Sequence, residues 1–466
     1  MRAFVSGRGP HSLAKEEEMG YEDLKGFLAL LESKGQLVRV KEELNPRHEV
    51  AAVLKELDRE DGPAVIFENV SGYKIPVVGN VLGTRDRLAL AFGIPKEGLK
   101  EEFLKRKNSP LSPQVRGRNS GRDIVIRDQI DLLKVLPVLT YHEKDAGPYI
   151  TGGVVFLKDR VTGMRSMGIH RIQIKDRNRM CVSLLAGTAR KILDNAAKRG
   201  EYLDVAIAIG LHPLTLLSAA IWTAGDKLGI AGGLKGEPLE LTRCETVELE
   251  VPAEAEIIIE GRIPPGVKDT DGPFGEGTGY YLTYQSPVVE VTAITMRENP
   301  IYSVVLPGSL EEHNILSGLT WRLQVLEDIK ALAPSVVDLT FVPGTLLSHV
   351  VISMKKTNEG EPKRVGLLAL MMYPYIKNAI VVDDDVNVDD LREVEWAIST
   401  RCQGDRDVIV VHGLAGSPLD PSIRDGLTAK VCIDATKPLS EATKFEKVKV
   451  PEESLKKARE ILKKLN

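Results

Sequence analysis

Cysteine is scarce in this chain: Cys181, Cys244, Cys402 and Cys432, four among 466 residues, lie far apart and form neither a CxxC pair nor a closely spaced framework. A disulfide scaffold is excluded by that spacing, and a reducing cytosol is the setting it suits. Charge of one sign is not in excess, with 62 basic against 66 acidic residues and a pI near 6.2. There is therefore no electrostatic case for a nucleic-acid partner. Phosphate-loop and dinucleotide fingerprints are missing, and the glycines of Gly275-Glu276-Gly277-Thr278-Gly279 have the wrong spacing for either. The 8 histidines are scattered without HExxH, and no GxSxG elbow occurs, which argues against zinc and serine hydrolases.

An unbroken apolar run is missing too. Residues 205–224 are largely apolar and about as long as a bilayer span, but His212-Pro213 interrupts them. The alternation before that point predicts a buried strand, and the run after it predicts a buried helix opened by Pro213, so no membrane is expected. The opening residues, MRAFVSGRGPHSLAKEEEMG, have no apolar stretch ahead of their charges and do not read as a secretory signal.

What is present is α/β patterning. In GYEDLKGFLALLESKG the residues Leu24, Phe27, Leu28 and Leu31 share one helical face, and Gly35 marks the stop. QLVRVKEEL then reads as a strand, HEVAAVLKELDRE as a helix, and AVIFENV as a strand ending near Ser71-Gly72. Residues 105–123, rich in Arg, Lys, Ser, Pro and Gly, read as a loop or linker. Short β-rich runs follow at 152–158, 166–175, 180–185, 205–209, 246–251, 257–262 and 288–297, as in a barrel or sandwich. Beyond Pro307, helices at 319–332, 366–375 and 389–401 alternate with strands at 336–341 and 349–354, AIVVDDDV and DVIVV. The tail EESLKKAREILKKLN puts Leu455, Ala458, Ile461 and Leu462 on one stripe and predicts a docking or partner-packing helix. The expected division is an extension at 1–19, an α/β domain at 20–120, a β-rich domain at 121–306 and a second α/β domain at 307–466.

Two segments carry candidate chemistry. Asp271-Gly-Pro-Phe-Gly-Glu276 is expected as a turn that holds two carboxylates about one turn apart. It reads either as a solvated acidic turn or, facing a pocket, as a site where burial and like charge raise one carboxyl's pKa and make it a general acid. In Ser166-Met-Gly-Ile-His170-Arg171 a β run carries an arginine, either a surface ion-pair partner or a clamp for a carboxylate.

Taken in order, GYEDLKGFLALLESKGQL, GPAVIFENVSGY, Gly168-Ile-His-Arg171, DGPFGEGTGYY, VVDDDVNVDDLREVEWAISTR and LTAKVCIDATKP resemble the UbiD-family decarboxylases. The resemblance spans nearly the whole chain after residue 19. It implies an α/β (α+β) fold: an N-terminal α/β domain, a central split β-barrel for prenylated FMN, and a C-terminal α/β domain whose terminal helix serves a homodimer or higher homo-oligomer. It also implies a catalytic network of Arg171, Asp271 and Glu276, with Glu276 delivering the proton. Cofactor contacts would come from Ser166, Ile169, His170, Arg171, Ser183, Leu184, Leu185, Lys227 and Lys430, and a separate flavin prenyltransferase would supply the cofactor.

The chain departs from the family pattern at the metal. Ser166 stands where an Asn ligand is common, and Lys227, with Asp226 beside it, stands at the acidic ligand's position. A divalent metal such as Mn²⁺ and a K⁺ ion are thereby put in doubt, Ser166 and Asp226 remaining as metal candidates, while Lys227 reads either as a cation for the flavin phosphate or as a surface lysine. His170 replaces a Tyr, and Asp271 replaces a Glu. These features resemble the archaeal branch that includes the anhydromevalonate phosphate decarboxylases. The implied reaction turns trans-anhydromevalonate 5-phosphate, a small phosphorylated unsaturated acid, into isopentenyl phosphate and CO2 in the cytoplasm. The alternatives are a polyprenyl-hydroxybenzoate or other aromatic acid, and a flavin-binding module without catalysis.

Overall fold

The computed structural model describes residues 21–59, 62–118, 123–223, 225–309, 312 and 314–463. Residues 1–19, expected as an extension, lie outside them. The chain forms two compact units, one running to Val325 with Pro343–Leu346 and Pro418–Ser422, the other built from Leu326–Val342, Leu347–Ser417 and the rest from Ile423. The 20–120 and 121–306 regions thus share the first unit.

The first helix, Leu24–Ser33, buries Leu24, Phe27, Leu28 and Leu31, and Asp23 caps it by accepting the Gly26 N–H. It lies over a four-stranded sheet ordered Leu37–Val40, Ala64–Phe67, Val77–Gly79, Tyr302–Ser303. The run at 205–224 resolves as the sequence suggests: a strand at Leu203–Ile209, then a helix at Pro213–Ala220 with Pro in its first turn and the His212 ring accepting the Leu214 N–H. That strand is buried along its whole length. Ala206 and Ala208 enter one apolar cluster, while Val205, Ile207 and Ile209 enter another, because successive side chains leave opposite faces. Among the described residues no helix is long and apolar enough to cross a membrane.

The Leu203–Ile209 strand belongs to a ten-stranded sheet that curls into a half-barrel. The sequence expects one strand over 166–175. The structure has two, Arg165–Ile169 and Ile172–Ile174. The first pairs with Val154–Lys158 at one end of the sheet, and the second pairs with Arg179–Val182 and Tyr149–Ile150 near the other. Only His170 and Arg171 separate them, so the two ends of the sheet meet at these residues, as a curled sheet requires.

The described residues of 105–123 are only in part the loop the composition suggests. A helix runs on to Lys107, and Gln114–Arg118 forms a strand parallel to Glu240–Arg243. Its exposed Arg and Gly positions hide the apolar alternation that marks interior strands.

The second unit is a five-stranded mixed sheet with helices at Glu361–Met372 and Leu391–Arg401. The first of these begins earlier than the 366–375 expectation, because Pro362 fits an opening turn, and it stops before Tyr373, which precedes Pro374. Arg401 bonds Asp383 and pairs with both oxygens of Asp385, tying the VVDDDV strand end to the Leu391–Arg401 helix. The Glu452–Leu462 helix buries none of its residues.

Candidate active site

Asp271 and Glu276 are five positions apart, an odd separation that would send their side chains to opposite faces of a regular strand. Their segment is not the turn expected from its glycines and proline. It is the strand Lys268–Gly275, paired antiparallel with the long Tyr281–Met296 strand. Between Asp271 and Phe274 the register shifts, so three steps on this strand oppose two on its partner. The bulge restores parity and lets both carboxylates reach one guanidinium.

That guanidinium is Arg171, placed where the two ends of the curled sheet meet. Its Nε donates to Asp271 Oδ2 at 3.3 Å, and its Nη2 to the Asp271 carbonyl at 3.2 Å. Its Nη1 donates to Glu276 Oε1. The rings of Phe274 and Tyr284 lie 5.0 and 4.8 Å from its Cζ, an arrangement that favours a cation and excludes water. The Arg171 side chain is 7% exposed and that of Asp271 is 0%.

Glu276, at the hairpin tip, keeps some exposure. Burial pushes its pKa up, Arg171 pulls it down, and the neighbouring charge of Asp271 adds to the rise. A carboxyl so placed can hold a proton nearer neutrality and release it to a reacting atom.

Sequence reasoning missed several members of this site. The Tyr149 hydroxyl donates to Asp271 Oδ1 at 3.3 Å, and Ser286 Oγ donates to Oδ2 at 2.9 Å. Gln173 Oε1 accepts the Gly272 N–H. Phe274 and Tyr284 belong to the same set. The alternation of the two hairpin strands could have flagged Ser286 and Tyr284, but no local signal marks Tyr149.

The other expected residues fall into two groups. His170 Nδ1 lies 2.9 Å from the Ser183 carbonyl, and the Ser183 N–H donates to the Arg171 carbonyl. Burial lowers the His170 pKa to about 4, with the Lys227 charge contributing, so the ring is neutral near pH 7. Ser166 and Ile169 lie on the strand leading to this point, and Leu184 and Leu185 follow Ser183. Lys430 lies in the second unit, 2% exposed. Its ammonium donates to the carbonyls of Leu370, Tyr373 and Pro374, closing the end of the Glu361–Met372 helix.

Lys227 opens the Lys227–Lys235 helix. Its Nζ donates to the Ala219 carbonyl at 2.8 Å, and burial lowers its pKa to about 8. No carboxylate pairs with it among the described residues. A partly buried ammonium with donors to spare, at a helix N-terminus, fits a phosphate. Acidic donors for a divalent cation are few around Lys227. The Asp226 carboxylate already accepts the Leu228 N–H as the helix cap, Lys227 would repel the ion, and no group of three His, Cys, Asp or Glu that could hold a metal occurs among the described residues.

Similarity to known proteins covers most of the chain. Residues 28–107, 115–310 and 314–435 match the N-terminal, Rift-related and C-terminal domains of the family described as 3-octaprenyl-4-hydroxybenzoate carboxy-lyase. An anhydromevalonate phosphate decarboxylase of Methanothermobacter thermautotrophicus is 36% identical over 88% of this chain and 96% of its own. The UbiD-class enzyme HmfF of Pelotomaculum thermopropionicum, solved with FMN, is 40% identical and superposes with a TM-score of 0.87, covering 92% of this chain and 98% of its own. The vanillic acid decarboxylase of Sedimentibacter hydroxybenzoicus is 32% identical, with a TM-score of 0.84 over 96% of this chain and 100% of its own.

Proposed function

The chain belongs to the UbiD family of carboxy-lyases, and from that premise we propose that it decarboxylates trans-anhydromevalonate 5-phosphate to isopentenyl phosphate and CO2, with Arg171, Asp271 and Glu276 as the catalytic network. The observation that carries the catalytic assignment is the grip of one enclosed guanidinium on two carboxylates, one of them with a raised pKa. The substrate rests on the named archaeal relatives. Membership in a family of carboxy-lyases sets aside a flavin-binding module without catalysis.

Bound prenylated FMN supplies the electron sink for the departing carboxylate. The chain's own residues do the rest. Phe274 and Tyr284 keep water from the Arg171 guanidinium. Glu276 gives its proton to the carbon that has lost CO2, and Arg171 stabilises the carboxylate left behind. Lys227 would hold the flavin phosphate, and the strand ending at Ile169, with His170, Ser183, Leu184 and Leu185, would line the cofactor.

The direct test is co-expression with a flavin prenyltransferase, followed by mass analysis of the cofactor and CO2 release from a panel of acids. Turnover of trans-anhydromevalonate 5-phosphate is expected. Turnover of aromatic acids alone moves the substrate to the alternative suggested by the vanillic acid decarboxylase relative.

For Lys227 the measurement is bound flavin per chain after dialysis against EDTA. The wild type is expected to keep its flavin and Lys227→Ala to lose it, while Lys227→Glu loses it in metal-free buffer and partly regains it with Mn²⁺. Because the ammonium deprotonates as pH rises through about 8, wild-type affinity should weaken above that pH. Complete loss from the wild type on chelation, restored by Mn²⁺, would return the phosphate to a metal bridge.

The reading includes a cytoplasmic setting, in keeping with the four free cysteines, and assembly through the exposed stripe of the terminal helix, where Ile461 and Leu462 are 51% and 60% exposed. Deleting residues 451–466 should shift the particle to a smaller species in light scattering. An unchanged mass would place the interface elsewhere.

A further inference from the structure

The proton donor sits on the tip of a hairpin, and such tips fray unless something holds them. Here the residue before Glu276 is held from outside the hairpin. Asp145 Oδ1 accepts the Gly275 N–H at 2.8 Å, while its other oxygen, Oδ2, accepts the N–H groups of His142 and Tyr141 at 2.8 and 3.2 Å. The carboxylate is fully buried, at 0% exposure. Its two oxygens therefore have separate tasks: Oδ2 folds the local 141–145 turn, and Oδ1 reaches 130 positions along the chain to the hairpin. The His142 ring rests on the same glycine, since a Cβ at position 275 would meet its Nδ1 at 2.4 Å. On the other side of the donor, a Cβ at Gly308 would lie 3.0 Å from the Gly277 Cα. Glu276 is thus flanked by two glycines that neighbours approach closely, which side chains at 275 or 308 would prevent.

We propose that the 141–145 turn is a positioning element for Glu276, with Asp145 as the residue that fixes the hairpin tip and His142 as the wedge against it. The proposal rests on Glu276 being the proton donor. Asp145 does not touch the reacting atoms. It acts by holding the Glu276 backbone so that the carboxyl keeps its place beside Arg171.

Asp145→Asn separates the two tasks, because an amide has one acceptor oxygen. Turning that oxygen to the two N–H groups of the turn leaves an NH2 facing the Gly275 N–H. The variant is expected to keep its flavin content and a cooperative melt, at a temperature lowered by the buried hydrogen bond it loses. Its kcat should fall on the order of 10-fold to 10²-fold with KM little changed, as for a reacting group displaced by a fraction of an ångström. In the protein without cofactor, hydrogen exchange of a peptide covering 272–281 should speed up while that of 141–147 does not. Gly275→Ala should lower kcat by displacing the His142 ring, and adding His142→Ala should restore it in part, since the clash is relieved while the wedge is lost.

Wild-type kcat and unchanged exchange in Asp145→Asn, or failure of His142→Ala to rescue Gly275→Ala, would overturn the proposal. Glu276→Gln, measured alongside, separates the two claims. If it is slow while Asp145→Asn is wild-type-like, the donor stands and the positioning role falls. If it turns over like the wild type, the donor assignment itself falls, and the positioning role with it.

Discussion

Glu276→Gln should leave the fold and flavin binding intact and lower turnover by on the order of 10²-fold or more. Glutamine has nearly the same shape and still offers a carbonyl oxygen to Arg171 Nη1, the partner of Glu276 in the structure. What it lacks is a transferable proton. The carbon that has lost CO2 would then depend on adventitious water, which the enclosure of Arg171 by Phe274 and Tyr284 restricts. A pH profile gives a second reading. Burial raises the Glu276 pKa, and a general acid must be protonated to act, so wild-type kcat should fall as pH rises through that raised value. Glu276→Gln should lack this limb. The check is turnover normalised to bound flavin across the pH range, and wild-type-like rates in the variant would remove Glu276 from the mechanism.

Arg171→Lys should lower kcat/KM on the order of 10²-fold, about 2–3 kcal/mol, although the charge is kept. The guanidinium serves three acceptors at once: an Asp271 carboxylate oxygen, the Asp271 carbonyl and a Glu276 carboxylate oxygen. An ammonium on a shorter, non-planar head cannot span them, and it leaves the fully buried Asp271 carboxylate short of a charged donor. Tyr149 and Ser286 still donate to Asp271, so the fold should persist while the geometry around Glu276 does not. Steady-state kinetics beside a thermal melt separates these effects. Unchanged kcat/KM would show that the fork geometry is dispensable.

The helices at the start of the chain were legible because their physics is local. Leu24, Phe27, Leu28 and Leu31 repeat at helical spacing and are all buried. The strand and helix flanking His212-Pro213 were legible for the same reason, since Pro213 can open a helix but not continue one. Position along the sequence misled where pairing decides the outcome. The 105–123 stretch was expected as a loop because Gln114–Arg118 gains its strand from a partner more than a hundred residues away.

The sequence by itself determined which residues are available for the chemistry: Arg171, Asp271 and Glu276 stand in ordered segments that carry the family resemblance. It also placed Ser166 and Lys227 where metal ligands are common. Only the tertiary structure decided that these three side chains meet. Arg171 reaches the hairpin because the curled sheet brings its two ends together at His170 and Arg171. Asp271 and Glu276 face it together because a bulge in their strand corrects an odd spacing. Tyr149, Ser286 and Asp145 join them through hydrogen bonds spanning 122, 15 and 130 positions. The contacts of Tyr149 and Asp145 leave no periodic trace in a sequence, because strand register and sheet closure are settled by burial summed over the whole barrel rather than by any segment alone.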